Sequence, residues 1–183
     1  HLPETVACFW TGPKVVPKKI TLAHIRKVVK RLKHRLILWD NYPVNDLSMS
    51  QEMHLGPLTG RDPRLPEQVY GYLNNPLLQE SLSFIPLATC FDYAANPQAY
   101  DPERSWGRAI DERFGPGALR HWKVLRSFCE RINKSKAKGL SLPLSPQERP
   151  TLKKAHRYLL ENRNLPWFKE FQPWLSFLEK SLT

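Results

Sequence analysis

The sequence is poor in cysteine and contains no long hydrophobic run. Cys8, Cys90 and Cys129 are odd in number and lack metal-ligand spacing, which predicts free, mostly buried thiols and no bound metal. The longest uncharged apolar run is far shorter than a membrane span. Residues 1–10 also lack the basic start and apolar core of a signal peptide. These absences predict a soluble protein with no membrane partner and leave its compartment undefined.

Acidic residues are also scarce, with 17 Asp and Glu against 28 Lys and Arg, a net charge of +11. This excess suggests an anionic partner, or a piece of a larger and more neutral protein. Residues 18–35 carry much of it, and their apolar side chains recur at helical spacing, which favours an amphipathic helix with a solvated basic face. A nucleic-acid surface is the weaker alternative, because no RNP, zinc-finger or Gly-rich phosphate motif accompanies the charge.

The first third of the chain has the order strand, helix, strand. Residues 6–10 and 36–39 are apolar runs typical of buried strands, and Thr21 is a candidate N-cap for a helix over 22–34. This order predicts two parallel strands joined by a crossover helix. The carboxyl ends of both strands would then lie at the same edge of the sheet.

The remaining chain predicts one more strand and a largely helical second half. A long loop over residues 47–66 precedes a third strand at 69–73. The predicted later segments are a helix over 77–95, a helix containing Leu119 to Ile132, a polar linker from 134 to 150, a helix over 152–163 and a last helix starting near Pro173.

An aromatic, two carboxylates and two carboxamides follow the second strand within eight residues, in Trp39-Asp40-Asn41-Tyr42-Pro43-Val44-Asn45-Asp46. Parallel α/β folds bind ligands at the carboxyl ends of their strands, so this cluster predicts a ligand site. Three strands cannot close a barrel, and an open edge of a parallel sheet is normally avoided. The chain is therefore either a small open sheet or the last third of an eight-stranded barrel.

Four segments, in order, are similar to family 84 glycoside hydrolases, the β-N-acetylglucosaminidases that include O-GlcNAcases and bacterial hyaluronidase-like enzymes. The segments are Phe9–Val16, Trp39–Asp46, His54–Arg61 and Asn75-Pro76. Residues 83–106 resemble the last helix and exit of the family's barrel. The resemblance implies an α/β fold in which residues 1–98 form about strands six to eight of a TIM (β/α)8 barrel. Residues 99–183 would then form an α-helical tail region.

The family implies a retaining hydrolysis in which the acetamido group of the substrate is the nucleophile, without a metal or organic cofactor. Its acid/base and polarising residues are adjacent Asp residues upstream of the segments matched here. This chain contains no Asp-Asp pair, so the resemblance implies that it carries no catalytic residue and is inactive alone. An acid/base pair of Asp40 and Asp46 is a weak alternative, because the resemblance assigns both residues other roles.

The resemblance also implies a sugar-binding set made of Trp39, Asn41, Asp46 and Asn75. Asp46 would accept hydrogen bonds from the O4 and O6 hydroxyls, and the two carboxamides would bind hydroxyls or the acetamido region. Trp39 would wall the N-acetyl pocket. Ordinary roles compete with these: Trp39 as core, Asn45 as a turn cap, Asn75 as a residue before proline, and Asp40 as a structural hydrogen-bonding group, which we favour.

Two functions follow for the chain. The first is the sugar-binding part of a β-N-acetylglucosaminidase acting on a GlcNAc-bearing glycan or glycoprotein, with the missing N-terminal half of the barrel as its partner. The second is a non-catalytic carbohydrate-binding or interaction module derived from the family. Trp167, Phe168, Phe171 and Trp174 could form a partner-facing patch, although packing beneath the barrel is the favoured interpretation.

Overall fold

A computed structural model describes residue 3, residues 5–135 and residues 141–183 of the chain. Two short 3-10 turns, Leu47–Met49 and Pro66–Gln68, lie in the long loop between the second and third strands. The strands and helices, in order, are β1 (Ala7–Trp10), α1 (Leu22–Leu32), β2 (Arg35–Asp40), β3 (Gly71–Asn74), α2 (Glu80–Ala95), α3 (Pro102–Phe114), α4 (Leu119–Lys134), α5 (Glu148–Glu161) and α6 (Pro166–Leu182).

The strands form a parallel sheet in the order β1-β2-β3, which confirms the predicted parallel pair with a crossover helix. Thr21 is the N-cap of α1 as predicted: its hydroxyl oxygen accepts the backbone N–H of His24 at 3.3 Å. The helix ends at Leu32, and Lys33 then adopts a left-handed conformation with φ 54°. The alternation of apolar residues and this cap together fix the βαβ unit locally.

Helices cover one face of the sheet and leave the other exposed. Leu36 and Leu38 of β2 are buried with Ile25 of α1 in one core cluster. The opposite face carries the exposed side chains of Phe9 at 60%, Trp39 at 38% and Leu73 at 45%. Because parallel sheets are normally covered on both faces, this apolar face is unusual. We refer to Phe9, Ile37, Trp39 and Leu73 as the open face.

The largest core joins the helical tail to the segments around the third strand. Met53, Leu55 and Leu77 belong to the same buried cluster as Trp106 and Trp122. The four tail aromatics are buried in this cluster too, so the suggestion that they form a partner-facing patch is wrong: Trp167, Phe168, Phe171, Trp174. Removing so much aromatic surface from water stabilises the tail against the rest of the chain.

The helix boundaries differ from the predictions in the second half of the chain. The last helix starts at Pro166 and not near Pro173, which lies inside it. Proline suits the first turn of a helix, and an interior proline costs one backbone hydrogen bond, which the buried aromatics around it offset. Helix α3 was not predicted as a separate element, and α5 begins at Glu148 inside the predicted linker. Residues 136–140 of that linker lie outside the described residues.

Cys90 and Cys129 are buried and Cys8 is partly buried, and all three are free thiols. No helix in the described ranges is both long enough and apolar enough to cross a membrane.

Candidate functional site

Three of the four predicted sugar-binding residues lie together at the carboxyl edge of the sheet. Trp39 is near the end of β2, Asn41 follows β2, and Asn75 follows β3. The indole N–H of Trp39 donates to Asn41 Oδ1 at 3.0 Å, and the Asn75 carboxamide N–H donates to the same oxygen at 3.1 Å. The adjacent strand ends bring these residues together because β2 and β3 are parallel neighbours.

Asn41 has little hydrogen-bonding capacity left for a ligand. Its Oδ1 accepts two bonds, and its Nδ2 donates to the carbonyl oxygen of Val15 at 2.7 Å. A carboxamide has two acceptor positions and two donor protons, so one N–H remains. Asn75 spends one N–H on Asn41, and within the described part of the chain its Oδ1 and second N–H make no hydrogen bond. For Trp39, the indole N–H is occupied, and only the ring remains to contact a sugar.

Asp46, the fourth predicted residue, is partly buried and begins the turn Leu47–Met49. Its carboxylate does not cap that turn. Leu47, the next residue, has a positive φ of 49°, a strained conformation for a side chain of this size. The carboxylate acceptors of Asp46 are therefore not used to cap the backbone that follows it.

Asn45 fixes the backbone just before Asp46 and is itself fully buried. Its Nδ2 donates to the Glu52 carbonyl oxygen and to Gln79 Oε1, both at 2.8 Å. Its Oδ1 accepts the backbone N–H of Leu78 at 2.8 Å. Asn45 is thus more than a turn cap, because it joins the segment after β2 to the segment after β3.

Asp40 is a structural hydrogen-bonding residue, as we favoured. Its carboxylate is fully buried and receives both Arg61 Nε and Arg61 Nη2 at 2.6 Å, in a two-point ion pair. The Tyr72 hydroxyl donates to it at 3.0 Å. These bonds occupy the carboxylate on the helix-covered side of the sheet, so Asp40 does not face the same side as Trp39.

Gly60 and Arg61 lie close to the backbone of the loop after β1. Gly60 has φ +73°, and a Cβ there would lie 2.3 Å from the carbonyl oxygen of Lys18. Arg61 Nη1 donates to the Lys18 and Thr59 carbonyl oxygens at 3.2 and 3.0 Å. Arg61 therefore ties the loops after β1 and β2 to the end of β2.

Burial and charge shift the pKa values of this network. Burial alone would lower the pKa of Arg61, but the hydrogen bonds and charge of Asp40 outweigh it and raise that pKa. Burial, with the Asp40 charge, raises the pKa of Tyr72, and burial raises the pKa of the Cys90 thiol. Arg61 stays charged and the other two stay neutral at physiological pH, which keeps the Asp40 cluster fixed.

The roles of Arg61 and Asn45 at the sheet edge were not predicted. Arg61 pairs with a residue 21 positions away, a distance at which periodicity carries no signal. In the sequence, the role of Arg61 was indicated only by its place in the Gly60-Arg61 dipeptide, at the end of the family-like segment His54–Arg61. Asn45 could have been found only as one more carboxamide in the cluster after β2.

Cavities and metal ligands do not point to another site. Cavities of about 350 and 470 Å³ lie between α4 and α5, one of about 310 Å³ lies between α2 and α3, and one of about 640 Å³ lies between α3 and the start of α4. None of the four is lined by any of the predicted sugar-binding residues. Among the residues that the structure describes, no group of three or more His, Cys, Asp or Glu could hold a metal ion. The carboxyl edge of the sheet is the candidate site because of the hydrogen-bonded side chains there.

A parallel sheet with polar side chains at its carboxyl edge hosts many unrelated functions, so the fold alone does not define this one. Residues 1–129 match the family model described as beta-N-acetylglucosaminidase. The chain belongs to this family, and the resemblance found in the sequence is confirmed.

Comparisons with solved structures and with curated proteins agree with this family. A Thermobaculum terrenum O-GlcNAc hydrolase mutant has a similar structure, with a TM-score of 0.73 and 29% identity over 97% of this chain and 43% of that one. The protein CpGH84B matches with a TM-score of 0.71 and 25% identity over 93% and 34% of the two chains. Protein O-GlcNAcase from Rattus norvegicus is 34% identical over 84 residues, which are 46% of this chain and 9% of the rat protein. The chain thus spans less than half of each of these relatives.

Proposed function

We propose that the chain supplies the sugar-binding part of a retaining, substrate-assisted β-N-acetylglucosaminidase that removes terminal β-linked GlcNAc. Trp39, Asn41, Asp46 and Asn75 would hold the sugar. The observation that carries the proposal is their setting: three lie hydrogen-bonded together at the carboxyl edge, and the carboxylate of the fourth does not cap the backbone after it. The names of the relatives support an O-GlcNAc type of substrate.

The proposal also makes the chain part of a (β/α)8 barrel. Residues 1–98 would be strands six to eight of a (β/α)8 barrel and residues 99–183 its helical tail region. Three parallel strands in sequential order, covered by helices on one face, are what a segment of such a barrel requires. The exposed Phe9 and Leu73 on the open face would then contact the rest of the barrel, the chain's proposed partner.

We propose further that the chain alone does not hydrolyse its substrate. The family's adjacent Asp pair has no counterpart in this sequence. Asp40 is engaged in a buried ion pair and is unsuited to proton transfer with a ligand at the edge. A non-catalytic carbohydrate-binding module remains the alternative, since it would use the same four residues.

The Asp46→Ala variant tests the sugar-binding role. The variant should lose most of its affinity for N-acetylglucosamine, because a charged acceptor is removed, by about tenfold or more. It should keep the fold, since the Asp46 side chain does not cap the turn after it. Titration followed by NMR measures the affinity, and circular dichroism measures the fold.

The matched control is Asp111→Ala, an exposed carboxylate on α3. It should bind N-acetylglucosamine like the unchanged chain. If Asp46→Ala bound the sugar equally well, the assignment of Asp46 would be wrong.

A further inference from the structure

The first turn of α2 is capped by a residue of the distant helix α6. Glu170 accepts the backbone N–H groups of Ser81 and Leu82 at 3.0 Å, one on each carboxylate oxygen. These are orphan donors of a helix start, and a carboxylate there also complements the helix dipole. Residues about 90 positions apart in sequence are thus joined by two charge-assisted bonds.

The side chain at the N-cap position of α2 does not cap the helix and bonds Asn45 instead. Gln79 occupies the N-cap position, yet its side chain makes no capping bond. Its Oε1 instead accepts from Asn45 Nδ2, and the backbone N–H of Leu78 donates to Asn45 Oδ1. Because Glu170 caps the helix, Gln79 is free to hold Asn45.

The helical tail also forms hydrogen bonds with the segment that follows Asp46. Asn133 of α4 accepts the Met53 N–H at 2.9 Å and donates to the Met53 carbonyl oxygen at 3.0 Å. The Trp174 indole donates to the Gln51 carbonyl oxygen at 3.1 Å. The strained turn at Leu47 therefore lies between two anchors, Asn45 on one side and the tail contacts on the other.

We propose that Glu170 is a positioning residue for the Asp46 carboxylate, acting through Gln79 and Asn45. This inference rests on the proposed sugar-binding function and adds a residue that is far from Asp46 in sequence. The tail would then be required for the shape of the site as well as for stability.

The test compares Glu170→Ala, Glu170→Gln and the control Glu179→Ala, all on α6. Glu179 pairs with His156 at 3.2 Å within the tail, so its loss affects stability without touching α2. We expect Glu170→Ala to weaken N-acetylglucosamine binding about tenfold, which is the scale of a lost helix cap. Glu170→Gln keeps one acceptor and should restore part of the affinity, while Glu179→Ala should not change it.

A second readout follows the site directly. The side-chain amide signals of Asn45 and the backbone signal of Leu47 should shift in Glu170→Ala and stay in place in Glu179→Ala. Unmoved signals with unchanged affinity would overturn the positioning role. If the unchanged chain bound no N-acetylglucosamine, the proposed function would fail, and the Asn45 and Leu47 signals would still decide the role of Glu170. If Glu170→Ala did not fold, Glu170→Gln would decide it in the same way.

Discussion

At the scale of single residues, the candidate site combines buried supporting groups with a partly exposed carboxylate. Asp40 and Asn45 are fully buried and hydrogen-bonded to neighbouring segments, whereas Asp46 is partly exposed. A buried carboxylate is stable only with a partner and complete hydrogen bonding, which Arg61 and Tyr72 provide for Asp40. Asp40 and Asn45 thus support the structure of the segment, and the partly exposed Asp46 is the carboxylate that a ligand could reach.

Breaking the buried ion pair should be costly. Arg61→Ala would leave the Asp40 carboxylate buried without its cation, so we expect the free energy of unfolding to fall by about 3–5 kcal/mol. Urea unfolding followed by tryptophan fluorescence measures the loss.

The control is Arg64→Ala. Arg64 forms an ion pair with Asp62, and the Arg64 guanidinium is largely exposed. Exposed pairs contribute about 0–1 kcal/mol, so this variant should unfold nearly like the unchanged chain. If the free energy of unfolding fell equally in the two variants, the buried Asp40–Arg61 pair would contribute no more to stability than the exposed pair.

At the scale of elements, local signals predicted the first half of the chain better than the second. The strands β1 and β2 and the helix between them follow from apolar periodicity and the Thr21 cap, which are local properties. The start of α6 does not follow from such signals: Pro173 predicts a start there, whereas the packing of Trp167 and Phe168 extends the helix to Pro166. The Asp40–Arg61 and Glu170–Ser81 contacts are also long-range and leave no periodic signal.

The inward orientation of α6 can be tested by truncating one aromatic. Phe171→Ala removes a fully buried ring from the largest core and should lower the free energy of unfolding by about 3–5 kcal/mol. Thermal and urea unfolding measure the change.

Phe84→Ala on α2 is the comparison, because that ring is 41% exposed. Its loss should be about 1 kcal/mol. A smaller effect for Phe171 than for Phe84 would contradict the packing of α6 against the core.

At the scale of the whole molecule, the sheet has a helix-covered side and an open apolar side. The open face joins Phe9 and Trp39 in an edge-to-face contact with ring centroids 5.7 Å apart. Trp39 therefore belongs both to this face and, through Asn41, to the candidate sugar site. In our proposal the rest of a barrel covers this face and supplies the catalytic Asp pair, while this chain supplies the sugar-binding residues.

The most direct test of this account is an assay of the purified chain with a chromogenic β-N-acetylglucosaminide, with the intact mass measured on the same sample. We predict no hydrolysis above the background rate, because the proposed function assigns the acid/base and polarising roles to an adjacent Asp pair, and this sequence contains no such pair. Turnover by a sample that contains only this polypeptide would contradict the account and would return Asp46 to consideration as a catalytic residue.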